Sequence, residues 1–250
     1  MDSITVREKH AKSILSKSKV RDYTVNPYTG CEHGCTYCYA RFMKKYTGHK
    51  EEWGEFVDVK INALELLKKE AKKKKCGTVW VSGVCDPYQP LEEKYKLTRG
   101  CLEILMKHNF PVTIQTKSPL ITRDIDLLKD FENVEVNFTI GTADENIRRI
   151  FEPQAPPIQK RLEALEELYK TGIQTCVMIA PILPKVENLV ERVYGKLNHV
   201  GIDKMNYHYA DWIYKKHGLE YALKDKFFFQ KKNELSQKFK NKGIPCEVMF

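Results

Sequence analysis

At 250 residues, with 42% hydrophobic and 30% charged residues, the chain has the material for one substantial core. No run of about eighteen apolar residues occurs, which excludes a membrane-spanning helix; the start, MDSITVREKHAKS, lacks the apolar stretch of an export signal. A cytoplasmic location is therefore expected, and the formal net charge of +9 suits either a polyanionic partner or merely solvated helix faces.

Along the chain, short β-branched runs alternate with amphipathic helical patterns. A strand over Tyr23–Asn26 leads into NPYTGCEHGCTYCYAR, Asn26 to Arg41, which holds three of the eight cysteines. INALELLKKEAKKKK reads as a helix with Ile61, Leu64, Leu67 and Ala71 on one face and lysines where the dipole favours cations. A strand over Thr78–Ser82 then leads into SGVCDPYQPLE, and LTRGCLEILMKHN is the next helix. Val112–Thr116 leads into QTKSP, and Val134–Ile140 into TIGTADE. In RLEALEELYKTG, Leu162, Leu165 and Leu168 face inward and Gly172 is the expected C-cap. Gln174–Ala180 leads into APILP, and Lys204–His208 is read as the sixth strand. The tail KDKFFFQKKNELSQKFKNKGIPCEVMF predicts a helix and a final short strand.

This alternation argues for a parallel α/β sheet, and roughly six strand–helix units make a partial barrel rather than a closed one of eight. No linker is visible, so one domain over 1–250 is expected, with a core of about 20–210 and a C-terminal helical and strand extension of about 211–250. Loops at the carboxyl ends of parallel strands share a face where ligands bind. The cysteine segment, SGVCDPYQPLE, QTKSP, TIGTADE and APILP all fall there.

Cys31, Cys35 and Cys38 read C-x3-C-x2-C with no fourth cysteine nearby. Clustered cysteines in a chain of this size, without an export signal, point to metal binding or chemistry rather than disulfides. Structural zinc wants four ligands, which His33 or His49 could complete, although the spacing is poor for a zinc knuckle. Thiolates also ligate iron–sulfur clusters, where three cysteines leave one iron open to a substrate or cofactor. Cys76, Cys101, Cys176 and Cys246 lack such spacing and read as buried and inert, so no auxiliary cluster is expected.

The C-x3-C-x2-C spacing, with Tyr37 before the last cysteine, resembles the signature of the radical S-adenosylmethionine (radical SAM) superfamily. NPYTGCEHGCTYCYAR, SGVCDPYQPLE, TKSPLITRDIDLL, EPQAPPIQKRLEAL and APILP follow the order of its spore photoproduct lyase-related branch, whose small members are termed DNA repair photolyases by similarity. The likeness runs from about Ser13 to the end. It implies a partial (β/α)6 TIM-like barrel of the radical SAM type. It also implies a 4Fe-4S cluster on Cys31, Cys35 and Cys38, with S-adenosyl-L-methionine on the open iron. One electron then cleaves the cofactor to methionine and a 5′-deoxyadenosyl radical that abstracts hydrogen from substrate. An external one-electron reductant of the ferredoxin or flavodoxin type is implied as partner.

The same resemblance distributes roles over single residues. Gly30 and Gly34 let the loop wrap the cluster. Tyr37 lies by the cofactor and Tyr39 near the radical path. Ser82 and Asp86 stand where the superfamily holds the cofactor's ammonium, Lys117 pairs with its carboxylate, and Thr139 bonds its ribose or carboxylate. Glu152 and Arg161 suit a bracing ion pair, and Arg123 with Asp124 a helix start. One departure stands out: the branch's lyase has a hydrogen-donating cysteine just after the second-strand serine, where this chain has Gly83. Cys85, two places on, is the candidate donor; packing is its other reading.

The expected function is hydrogen abstraction by a radical enzyme, with a nucleic-acid base or lesion as candidate substrate. Lys72–Lys75 and Lys224–Lys242 would supply phosphate contacts, although Phe227, Phe228, Phe229 and Phe239 fit a helix core better than stacking. The alternatives are the same chemistry on a protein, peptide or small molecule, or a zinc-stabilised nucleic-acid-binding protein without catalysis. Substrate and oligomeric state are open.

Overall fold

The computed structural model describes residues 4–250. Its main sheet has the strand order β11-β10-β9-β8-β7-β6-β3-β2. The strands are β2 (Leu15–Lys17), β3 (Tyr23–Val25), β6 (Val79–Val81), β7 (Val112–Thr116), β8 (Val134–Thr139), β9 (Gln174–Ile179), β10 (His199–Ile202) and β11 (Cys246–Val248). From β3 to β11 every pairing is parallel; β2 pairs antiparallel to β3. The sheet keeps two free edges, β2 and β11, so it forms an open, partial barrel.

Alternation along each strand explains the curvature's two faces. Val79, Val81, Val112, Ile114, Val136 and Phe138 point outward and are buried against the helices. Those helices span Ala63–Ala71, Leu97–Lys107 and Ile158–Lys170, and Leu162, Leu165 and Leu168 are buried as the sequence predicts. Gly172, at φ +83°, follows the last of them. Ile61 is the exception: it precedes its helix and is exposed. The opposite strand face carries Thr113, Gln115, Asn137, Thr139 and Cys176, all lining a central cavity. One face of the sheet is thus a core and the other a polar lumen.

The sixth parallel strand is His199–Ile202, not Lys204–His208. Gly201 and His199 obscure its pattern. A Cβ on Gly201 would lie 2.5 Å from Met178 Sδ, so any larger residue would push the Met178 thioether aside. Residues 203–207 instead rise to the cavity mouth. The tail forms a helix over Asp225–Asn241 before β11, with Phe227, Phe228 and Phe239 buried and Phe229 exposed.

A smaller sheet went unpredicted. In it β1 (Thr5–Lys9) lies parallel to β5 (Phe56–Lys60), and β4 (Tyr28–Thr29) pairs antiparallel to β5. Short strands with charged, mostly exposed side chains, such as TVREK, carry little alternation. This sheet holds both ends of the segment from Gly30 to Glu55, which contains the cysteines.

Behind the loops that follow β6 and β7 lies a buried ionic brace. Glu92, fully buried, accepts from the Tyr28 hydroxyl, from Thr98 N at 2.9 Å and from the Arg123 guanidinium at 3.0 Å. Asp124, also fully buried, accepts from Tyr88 at 3.1 Å and from Arg99 at 2.9 Å. Arg123 and Asp124 thus do more than start a helix: they tie the loop after β6 to the loop after β7. Removing one partner of a buried ion network costs about 3–5 kcal/mol, because the other charge is left unpaired. Glu92→Ala is therefore expected to lower the unfolding free energy by that amount, read from the midpoint of urea denaturation.

Candidate active site

A cavity of about 400 Å³ opens at the carboxyl ends of the strands and runs down the lumen. Cys31, Cys35 and Cys38 line its upper end. Their loop needs glycine at two close approaches. Gly30 sits at φ +92°, and a Cβ there would lie 2.3 Å from the Phe56 carbonyl oxygen. Gly34, at φ +58°, meets Gly54, whose added Cβ would come within 2.8 Å of the Gly34 Cα.

The segment after β6 clamps this loop from the side. Glu32 N donates to Gln89 Oε1 at 2.9 Å, and Leu91 N donates to Glu32 Oε1 at 2.7 Å. From the other side Thr36 N donates to Phe151 O at 2.8 Å. Each residue of DPYQPLE with a polar side chain therefore has a bracing job, and Gln89 is one that sequence reading passed over.

Asp86 is the hub. Its Oδ1 accepts from Thr116 Oγ1 at 2.6 Å and Tyr88 N at 2.9 Å; its Oδ2 accepts from Lys117 N at 2.7 Å and lies 3.3 Å from His33 Nδ1. The carboxylate expected to hold a cofactor ammonium is thus already surrounded by the protein's own donors. Burial pushes its pKa up, but His33, Thr116 and the Lys117 amide more than offset this and bring it to about 2.

Burial pushes all three cysteine thiols up, Cys35 to about 12, and Cys31 is raised further by Asp86 and by the neighbouring cysteines. Tyr37 is buried against them, its hydroxyl donating to Glu152. Glu152 forms a 2.5 Å ion pair with Arg161, both fully buried, and Arg161 also donates to Thr139 O at 3.0 Å. The expected brace is present. Lys117 stands on the cavity wall with its ammonium 5.7 Å from the Tyr37 ring centroid. Burial lowers its pKa, but Cys35 and Glu152 outweigh that and raise it. Thr139 is buried and turned into the cavity rather than to solvent.

Ser82 also lines the cavity, its hydroxyl 2.8 Å from Asn26 Oδ1 and 2.9 Å from Cys85 Sγ. Burial pushes the Cys85 thiol up to about 12, so at neutral pH it keeps its S–H. Tyr39 sits at the mouth, its hydroxyl donating to Gly83 O. It stacks on Tyr207 at 6.0 Å, which stacks on Tyr209 at 5.9 Å. This ladder was legible only as aromatic composition in NYHYADW.

Of the other cysteines, Cys101 and Cys176 are buried and Cys246 half-buried, but Cys76 is exposed, against expectation. Cys176 also lines the lumen. Among the described residues no three His, Cys, Asp or Glu side chains gather closely enough for a single metal ion. His49, one candidate fourth zinc ligand, is held by Asp58 at 2.9 Å and Glu51 at 3.1 Å beneath the Phe56 ring. His33, the other, faces Asp86. Cys31, Cys35 and Cys38 all line the same cavity.

The depressed pKa of Asp86 makes a stability statement. A carboxylate whose pKa falls from 3.8 unfolded to about 2 folded stabilises the native state above roughly pH 4. That contribution, about 2 kcal/mol, is lost as pH falls through 2. Asp86→Asn is expected to be less stable at pH 7 and to show a flatter acid limb between pH 4 and 2, measured by denaturant titration across pH.

A family model described as the radical SAM superfamily matches residues 25–197. An uncharacterized protein of Methanocaldococcus jannaschii is 36% identical, covering 84% of this chain and 78% of its own length. An uncharacterized protein of Mycobacterium tuberculosis is 31% identical over 80% of this chain and 62% of its own, so the chain spans less than two thirds of that relative. Among solved structures, spore photoproduct lyase complexed with dinucleoside spore photoproduct aligns over 98% of this chain and 82% of its own, with a TM-score of 0.70 at 14% identity. That likeness shows the fold.

Proposed function

The chain belongs to the radical SAM superfamily, whose members are enzymes, and on that premise we propose a cluster-binding hydrogen abstractor with a nucleobase-bearing substrate. The observation that carries the reading is the convergence of Cys31, Cys35, Cys38 and Lys117 on one cavity wall. The residues fit the group. Two buried thiols and one half-buried one, all with pKa values raised by their surroundings, need a cationic core to release their protons, which iron supplies. When bound, the 4Fe-4S cluster and S-adenosyl-L-methionine supply a 5′-deoxyadenosyl radical by one-electron reduction, the electron coming from an external reductant of the ferredoxin or flavodoxin type.

The chain's own residues do the positioning. Lys117 offers an ammonium, close to no carboxylate oxygen among the described residues, to the cofactor carboxylate. Glu152 and Arg161 hold Tyr37 and the β8 end in place beneath it. Ser82 and Thr139 offer hydroxyls to the cofactor's polar groups. Asp86 is better suited to fixing His33 and the Lys117 backbone than to meeting the ammonium directly.

The nucleic-acid reading rests on the mouth. Tyr39, Tyr207 and Tyr209 form a partly exposed stack, a surface on which bases pack at about 1–3 kcal/mol each. Lys204 adds charge at the same rim. Lys72–Lys75 do not contribute, because they precede β6 and so lie at the far end of the sheet. A Pseudomonas phage M6 relative, 23% identical over 70% of this chain, is a radical SAM Nα-GlyT isomerase. Spore photoproduct lyase, which the chain resembles in fold, is itself seen with a dinucleoside ligand.

Anaerobic reconstitution tests the cluster and cofactor sites together. The Cys31, Cys35 and Cys38 triple alanine variant is expected to lose iron, brown colour and reductive cofactor cleavage at once. Lys117→Ala is expected to keep the cluster but bind S-adenosyl-L-methionine at least several-fold more weakly, since a hydrogen bond to a charged group is worth about 1.5–3 kcal/mol. Cofactor titration monitored at the cluster's absorbance reads both. A colourless native protein would refute the reading.

Cys85, on the cavity wall and holding its S–H, is the proposed donor of a hydrogen atom to the substrate radical; the thiyl radical left on sulfur would return to the thiol with one electron from the external reductant and a proton. With a base-containing substrate and deuterated 5′-deoxyadenosine as tracer, Cys85→Ala should leave cofactor cleavage near native levels and divert product to side species. An unaltered product distribution by mass spectrometry assigns Cys85 to packing.

A further inference from the structure

The lumen below the cofactor wall carries a feature that the radical chemistry does not use. Thr139, Met178 and Gly201 stand in register across β8, β9 and β10. One pleat deeper, Gln115 is in register with Asn137, Asn137 with Cys176, and Cys176 with His199. All four line the cavity. In closed parallel barrels such an interior layer is filled with branched aliphatic side chains. Here it holds two amides, a thiol and an imidazole.

One of those amides is unpartnered. Asn137 is 6% exposed, and its Oδ1 has no hydrogen-bond partner among the described residues. Gln115 uses its Nε2 on Thr139 Oγ1 at 3.3 Å, which leaves its carbonyl oxygen for the lumen. Buried amides without partners are rare and destabilising, so each asks for an explanation. The cations that line the cavity, Lys117, Lys204 and Arg21, stand at or beyond the strand ends and not in this layer. Within the layer His199 lies 3.7 Å from Glu135 Oε2, so the Gln115 and Asn137 amides are the groups left to hydrogen-bond a ligand. Neighbouring strands lie about 4.8 Å apart, so the Gln115 and Asn137 amides can address one small ring side by side.

We propose that this layer is the specificity site for the substrate's reacting group: a neutral planar ring with an adjacent C=O and N–H, a lactam or imide edge, read by Asn137 with Gln115. The inference rests on the radical reading above and adds the chemistry of the group that enters the lumen. Any anionic remainder of the substrate stays at the rim, near Lys204. The unpaired amide in the free protein is then the counterpart of a hydrogen bond made only to substrate, and it rejects rings lacking that donor.

Equilibrium dialysis of the reconstituted, cofactor-loaded protein against three probes tests this. Uracil is expected to bind, while 1,3-dimethyluracil, the same ring without N–H, and the open-chain N-acetylglycinamide bind about tenfold or more weakly. Asn137→Leu and Asn137→Ala are each expected to reduce uracil binding by about the same factor. Asn137→Leu is further expected to match or exceed the native melting temperature without ligand, because an unpaired amide becomes an apolar group of similar shape. The proposal is overturned if uracil fails to bind the native protein, if the methylated ring or open-chain amide binds as well, if the variants keep uracil affinity, or if Asn137→Leu melts lower. Cluster colour and S-adenosyl-L-methionine binding are measured on the same samples. Their absence from the native protein defeats the radical reading itself; their presence without uracil binding defeats only the lumen assignment.

Discussion

The structure turns on one buried carboxylate. Asp86 joins three loops: its own after β6, the cysteine loop through His33, and the start of the loop after β7 through Thr116 and the Lys117 amide. Each of these contacts is short enough to be an individual hydrogen bond or ion contact, and together they keep the acid ionised where burial alone would neutralise it. Losing the charge would release the His33 ring and the backbone that aims Lys117. A residue with the chemistry of a ligand thus serves as the keystone of the ligand site. The distinction is invisible in sequence, because both roles need a carboxylate beside the second strand.

How the sheet is patterned follows from the need for a lumen. Parallel strands buried on both faces usually read as continuous apolar runs. In β7 and β8 the runs are broken by Thr113, Gln115, Glu135 and Asn137, every second residue, and all four line the cavity. Alternation that would signal a solvent-exposed antiparallel strand here signals a polar interior with an open edge between β2 and β11. The fold gives up core volume to make a binding space, and the ionic brace around Glu92 and Asp124 supplies rigidity on the outside.

Legibility of the chain varied with the length of the signal. Long amphipathic helices such as Ile158–Lys170 and apolar strands such as Val134–Thr139 carry enough repeats to be read directly. The three cysteines were legible because their spacing is local. The smaller sheet was not, since strands of two to five residues present too few alternations. The sixth parallel strand was displaced in the reading because Gly201 interrupts its short apolar run. Site residues whose roles depend on partners 30 to 115 positions away, such as Gln89 on Glu32 or Tyr37 on Glu152, have no local signature at all.

Charge balance at the cofactor wall completes the argument. Glu152 stands between two cations, Arg161 in a direct ion pair and Lys117 acting through space. One carboxylate cannot neutralise both, and Arg161, fully buried and donating to backbone oxygens as well, holds the closer claim. Lys117 is left as a half-buried positive charge facing a cavity, held there by neighbouring negative charge that outweighs its burial but paired directly with none of it. The thiols of the cysteine loop line the same cavity, and under the proposed function they would face Lys117 as thiolates. The proposed ligand, an amino-acid carboxylate beside a thiolate-bound cluster, would set a negative charge against Lys117, the cation that Glu152 does not pair directly.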